Sequence, residues 1–203
     1  MSANNQEVKR YSIIYADPPW KYRGKRNIPP NAYNKNRKRY GGVEDHYSTM
    51  TVEEIASLPV QDLAAKNTAL FLWVTFPNLK EGLYIMEHWG FKYKTLGFSW
   101  IKTNHRSGTP FFGIGYYTKS NCEVCLLGLK GRMKPVSNKV SSVIISPRRE
   151  HSRKPDEVRD KIVELFGDLP RIELFARQKT PGWDVWGNEV ESDIELIPKK
   201  IVI

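Results

Sequence analysis

The chain has 203 residues, 40% hydrophobic and 12% aromatic, which is enough for one sizeable core and short for two, so a single domain over 1–203 is expected. No run approaches the ~20 apolar residues that span a bilayer, and the polar start MSANNQEVKR lacks the apolar stretch of a secretion signal, so a membrane or secreted protein is not expected. The net charge of +10, from 32 Lys and Arg against 22 Asp and Glu, favours a polyanionic partner.

The first apolar run, 11–16, reads as a strand and leads into Asp17-Pro18-Pro19-Trp20. Asp17 offers a carboxylate. Pro18 fixes the backbone so that its carbonyl can serve as a second rigid acceptor, and Trp20 adds an aromatic face. Two acceptors aimed at one point suit an exocyclic amino group. A rigid Pro-Pro turn closed by a core tryptophan is the structural alternative. Residues 21–40 follow with eight cations (Lys21, Arg23, Lys25, Arg26, Lys35, Arg37, Lys38, Arg39) and no acid, interleaved with Tyr22, Tyr33 and Tyr40. Cations for phosphates and rings for bases make this stretch a candidate nucleic-acid grip, with Arg37, Lys38, Arg39, Tyr22 and Tyr40 as contacts. A solvated basic loop is the competing reading.

Thr51-x-x-Glu54 is a capping box and opens a helix that buries Val52, Ile55 and Leu58. After a strand at 69–74, a second helix starts at Asn78, places Leu79, Leu83 and Met86 on one face and stops at Gly90. Strands are expected at 96–101, 122–127 and 142–146. Gly113-Ile114-Gly115, beside Tyr116 and Tyr117, is too short for a dinucleotide fingerprint and reads as a bend near a substrate. Cys122 and Cys125 have C-x-x-C spacing, but residues three apart on a strand face opposite ways, so inert thiols and no metal site are expected. A second basic stretch, 130–154, carries eight more cations against Glu150 alone. A third helix begins at Pro155, has Asp156 and Glu157 in its first turn, buries Val158, Ile162 and Leu165, and ends at Gly167. Lys154 stands just before it, where the helix dipole disfavours a cation. The last strand, 171–176, runs into Arg177.

Strands and helices alternate, which predicts an α/β domain with a mostly parallel central sheet. Ligands in such sheets sit beyond the carboxyl ends of strands, so the Asp17 and Arg177 ends should share one cleft.

Four ordered segments carry a wider resemblance. They are Asp17-Pro18-Pro19-Trp20, His46-Tyr47-Ser48-Thr49-Met50, Cys122 to Gly128 together with His151 to Glu157, and Glu173-Leu174-Phe175-Ala176-Arg177 followed by Gly182-Trp183 and Gly187-Asn188. In these the chain resembles the MT-A70 family of S-adenosylmethionine-dependent adenine-N6 methyltransferases over nearly its whole length. The resemblance implies a Rossmann-like methyltransferase fold in permuted order, catalytic strand first and cofactor strand last. It implies catalysis by Asp17, Pro18, Pro19 and Trp20. Asp17, Lys154, Phe175, Arg177, Asn188 and Glu189 would hold S-adenosyl-L-methionine, and Glu123 and Lys154 would border the target base. Gln178, Lys179 and Thr180 depart from a Pro-His-Asn of many relatives. DNA is favoured over RNA as substrate on the compact, bacterial- or phage-like organisation, with a cytoplasmic location. A homodimer or a paired methyltransferase-like subunit is an expected partner arrangement, and a non-catalytic nucleic-acid-binding subunit is the alternative function.

Overall fold

The computed structural model describes residues 9–21, 49–113, 117–150 and 153–198. The candidate contacts Tyr22, Arg37, Lys38, Arg39 and Tyr40, the His46–Ser48 part of the second motif, and the Ile114-Gly115-Tyr116 bend lie outside them.

Seven strands form one sheet in the order β5-β3-β4-β2-β1-β6-β7. They are β1 (Tyr11–Ala16), β2 (Ala64–Val74), β3 (Lys92–Thr103), β4 (Cys122–Lys130), β5 (Val143–Pro147), β6 (Arg171–Leu174) and β7 (Asp184–Trp186). Only β4 runs against its neighbours, pairing antiparallel with both β2 and β3, and the other four pairings are parallel. The fold is therefore mixed α/β with a mostly parallel sheet, as the alternation of elements predicts. β1 lies near the middle, flanked by β2 and β6. Such a strand is buried on both faces and reads as a continuous apolar run, and Ile13, Ile14 and Ala16 are fully buried.

Helices cover both faces. On one side α1 (Val52–Ala56), α2 (Val60–Leu63) and α3 (Leu79–His88) pack over Ile14, Leu70, Leu72, Val74 and Leu126. On the other, α4 (Glu157–Phe166) lays Val158, Ile162 and Phe166 over Ile13, Tyr15, Phe71 and Trp73. α3 approaches the sheet closely at Gly82, where a Cβ would stand 2.3 Å from Val74 Cγ1. That contact turns the buried face of α3 to Gly82, Ile85 and Met86 and leaves Leu83 at the exposed rim, which corrects the expectation for Leu83. α4 also starts later than expected. Asp156 is its N-cap and Pro155 lies outside, and Phe166 replaces Leu165 as the fully buried residue of its last turn. β7, α2 and the 3₁₀ turn at Phe76–Asn78 are too short for periodicity to reveal. Among the described residues, no helix is long and apolar enough to cross a membrane.

The capping box is formed on both sides: Glu54 N–H donates to Thr51 Oγ1 at 3.1 Å and Thr51 N–H to Glu54 Oε2 at 2.7 Å. It fixes the start of α1 next to Met50, which pairs with the Asp17 loop. Thr51→Ala is expected to lower stability by about 1 kcal/mol, the usual effect of losing such a cap, as a decrease in urea midpoint at unchanged m-value.

Candidate active site

All the parallel strands end on one edge of the sheet, and the antiparallel β4 begins there. Asp17 leaves the end of β1 and Phe175 the end of its neighbour β6, with Ala16 paired to Leu174. The loop after β1 is held rigidly. Trp20 N–H donates to Pro18 O at 2.9 Å, and Met50 N–H donates to Pro19 O at 2.8 Å. Pro18's carbonyl therefore keeps one lone-pair direction, and Pro19's is engaged by the approach to α1. Trp20 is 7% exposed and packs in the core beside Ile55 and Val74, its Nε1 donating to Trp73 O at 3.2 Å. The core-tryptophan alternative describes it. Its ring lines neither pocket of the cleft.

Lys154 closes over Asp17. Its Nζ donates to Asp17 Oδ1 at 2.7 Å and Oδ2 at 2.8 Å and lies 3.3 Å from Glu123 Oε2, 5.6 Å from the centre of the Trp73 ring. Lys102, at the end of β3, pairs with Glu123 from the other side. The row Asp17, Lys154, Glu123, Lys102 thus alternates in sign, with side-chain exposures of only 10–21%. Burial pushes the Asp17 carboxyl above the usual range, and Lys154 draws it only part of the way back. Burial acts the same way on Glu123, but two ammonium groups outweigh it and hold Glu123 below the usual range. Lys154 is raised well above an ordinary lysine, because the two carboxylates overcome its own desolvation. Glu123 itself is 8% exposed.

Beneath this row lies a second one. Arg159 of α4 makes two hydrogen bonds of 2.7 Å to Glu173 of β6, and it also binds Asp156. Its guanidinium lies 5.7 Å from the Tyr15 ring centre, and Tyr15 OH accepts from Trp73 Nε1 at 2.8 Å. Asp156 also takes Arg149 and Arg153, which ties down the segment that delivers Lys154.

The cleft has two connected parts, both bordered by Asp17, Phe175 and Arg177. The narrower is lined also by Pro19, Asn188 and Glu189, and the wider by Tyr15, Arg153, Lys154, Arg159, Glu173 and Gln178. Phe175 ends β6 early because it takes the left-handed backbone, φ 62°, which a phenylalanine rarely adopts. Its ring meets Trp186 edge-on at 5.3 Å. Ala176 N–H then donates to Trp186 O, and Gly187 lies so close to Ala176 that a Cβ there would stand 2.1 Å from the Ala176 carbonyl oxygen. This contact sets Asn188 and Glu189 opposite Arg177, with Arg177 Nε 3.6 Å from Glu189 Oε1.

The structure therefore gathers Asp17, Pro19, Phe175, Arg177, Asn188 and Glu189 around one pocket and brings Lys154 and Glu123 to Asp17. Lys179 turns away to pair with Asp193, while Gln178 lines the cleft. Cys125 is buried against Phe71 and Phe98, and Cys122 is partly exposed; both are free thiols. Lys102, Tyr15, Trp73, Arg159 and Glu173 escape sequence reasoning. For Lys102 the one available signal is its position two residues after Trp100, on the same strand face.

The MT-A70 family model matches residues 11–189. The chain belongs to the MT-A70 family. It is similar to the type II methyltransferase M.MunI of Mycoplasma sp, at 34% identity over 198 residues covering 94% of this chain and 82% of that protein. It is similar to a putative N(6)-adenosine-methyltransferase MT-A70-like protein of Medicago truncatula, 31% identical over 93% of this chain and 28% of the relative. With the N(6)-adenosine-methyltransferase catalytic subunit METTL3 of Homo sapiens it shares 28% identity over 95% of this chain and 30% of the relative. The chain thus spans most of the Mycoplasma protein but under a third of the plant and human relatives.

Arg159→Met strands Glu173 beneath the cleft, where the carboxyl is raised by burial even with its partner present. Removing one member of a buried pair typically costs about 3–5 kcal/mol. Glu173 of the variant has a folded-state pKa above its unfolded value, so the deficit is full at pH 8 and shrinks as pH falls through that raised pKa. Urea unfolding of variant and wild type at several pH values between 5 and 8 measures it.

Proposed function

We propose that this protein transfers a methyl group from S-adenosyl-L-methionine to N6 of adenine in nucleic acid, with DNA as the favoured substrate. The observation that carries the reading is Asp17: a carboxylate at the mouth of a central parallel strand, buried enough to be raised, yet kept paired by Lys154.

The residues present suit the cofactor. A sulfonium, an amino acid end and a ribose diol call for carboxylate, cation and amide groups together, and the smaller pocket supplies Asp17, Glu189, Arg177 and Asn188, with Phe175 as an apolar wall. The contact of Gly187 with Ala176 brings these groups together. We assign Asn188 and Glu189 to the ribose and neighbouring groups, Arg177 beside them, and β6 as the cofactor strand in the permuted order. When bound, the cofactor supplies an electrophilic methyl group on a positively charged sulfur.

The chain's own residues act on the adenine. Its N6 lone pair is delocalised into the ring, so the nitrogen becomes nucleophilic only as it turns tetrahedral. Asp17 accepts a hydrogen bond from one amino hydrogen, and the free lone pair of the Pro18 carbonyl accepts one from the other, which favours that geometry. Burial makes Asp17 a stronger acceptor than a solvated carboxylate, and the acceptors are already in place before the reaction begins. Lys154 occupies one side of both Asp17 oxygens and fixes their direction, while Glu123 keeps Lys154 from moving further onto Asp17. A base inside a duplex cannot reach this edge, so the target adenine is flipped or already unpaired, at a few kcal/mol.

The preference for DNA rests on the relative whose length the chain nearly matches, named as a type II methyltransferase. RNA is the second reading, supported by the N(6)-adenosine-methyltransferase relatives. The test is incubation with labelled cofactor and separate DNA and RNA pools, followed by identification of the modified nucleoside. N6-methyladenine from the DNA pool is expected, label in RNA alone would transfer the function to RNA, and label in neither would point to a non-catalytic nucleic-acid-binding subunit.

Two variants separate the roles. Asp17→Ala is expected to lower turnover by at least ~10²-fold in a folded protein, the size of such electrostatic effects. Asn188→Ala is expected to weaken cofactor binding, measured by calorimetry, while affinity for the oligonucleotide stays the same.

A further inference from the structure

Glu123 shares the one Lys154 ammonium with Asp17, and three charges with a net of −1 would be a poor arrangement at 10–21% side-chain exposure. Lys102 makes the row neutral. Its backbone N–H donates to Asn121 O at 2.8 Å, so in the antiparallel register Glu123 is its diagonal neighbour across the strands, within reach of a long side chain. The ammonium is guided from its own strand as well, lying 4.9 Å from the ring centre of Trp100, which is 1% exposed and fixed by Nε1 donating to Ser146 O at 3.1 Å. Lys102 is thus aimed at Glu123 by contacts that do not involve Glu123.

We infer that Lys102 is a positioning residue for methyl transfer: by holding Glu123 as an ionised, oriented carboxylate, it divides Lys154 between Glu123 and Asp17 and leaves Asp17 able to accept the amino group. This rests on the function proposed above. Glu123 faces Lys154 and Lys102, with Cys122 beside it. Asp17 faces Lys154, Glu123 and Arg177, with Tyr15, Glu173 and Cys125 behind it. Without Lys102, two carboxylates compete for one ammonium. The row then takes up its first proton at higher pH, and the apparent pKa belongs to the row as a whole.

The experiment compares Lys102→Met, which removes the charge and keeps the stem, with Lys102→Arg, which keeps the charge; Lys102→Gln replaces the first if it does not fold. The acid limb of the pH–rate profile is expected to move about one unit alkaline in Lys102→Met, the usual influence of a charge at this range, and to return in Lys102→Arg. Carbon-13 NMR titration of the Glu123 carboxyl, which needs no turnover, should show the same rise and the same rescue. A folded Lys102→Met protein with lowered Tm but an unmoved Glu123 titration would reduce Lys102 to a structural ion pair. A Glu123 titration that moves in Lys102→Met, while the wild type methylates neither pool, would leave the positioning of Glu123 standing and remove the proposed reaction instead.

Discussion

The site is organised by an ammonium group held between the part-buried carboxylate of Asp17 and the buried one of Glu123. Lys154 can occupy that place because Asp17 and Glu123 overcome its desolvation; in return it draws Asp17 part of the way back from the effect of burial and, together with Lys102, holds Glu123 below the usual carboxylate range. Each of the three comes from a different part of the chain: the end of β1, the start of β4 and the segment before α4. Bringing them together requires the sheet order observed, in which only β2 separates β1 from β4. The outer shell follows from the same need. Asp156 gathers three arginines and so steadies the segment bearing Lys154, and Arg159 carries that anchoring through Glu173 into β6.

Much of this architecture shows in the sequence because burial leaves a pattern. The central strands are continuous apolar runs, and their alternation with amphipathic helices is enough to define a mostly parallel α/β sheet. The cleft between the ends of β1 and β6 follows from that topology, so the sequence alone places Asp17 and Arg177 on one edge. The capping box at Thr51 is legible for a local reason: its residues interact only with their own turn.

What the sequence hides is set by long-range contacts. Leu83 fits the helical period as well as Ile85 does, and the close approach at Gly82 decides which of them faces the sheet. Trp20 looks free to stack on a ligand until its indole nitrogen is found on the Trp73 carbonyl. Lys102 and Arg159 look like surface cations, since their partners Glu123 and Glu173 lie 21 and 14 residues away along the chain. Nor does composition reveal that Phe175 carries the left-handed turn that ends β6 and opens the pocket.

The reversed strand β4 has a further effect. Because it runs against β2 and β3, the connection between β3 and β4 leaves from and returns to the same edge as Asp17, without crossing over the sheet. Its two roots are fixed by the Lys102–Glu123 contact and by Phe111 N–H donating to Lys102 O at 2.8 Å, and the register of β3 on β4 does not depend on its length. Insertions and deletions are therefore tolerated there with little penalty to folding, beside the place where substrate would lie. A change of length there would reshape the edge of the sheet next to Asp17 while leaving the strands that carry Lys102 and Glu123 in place.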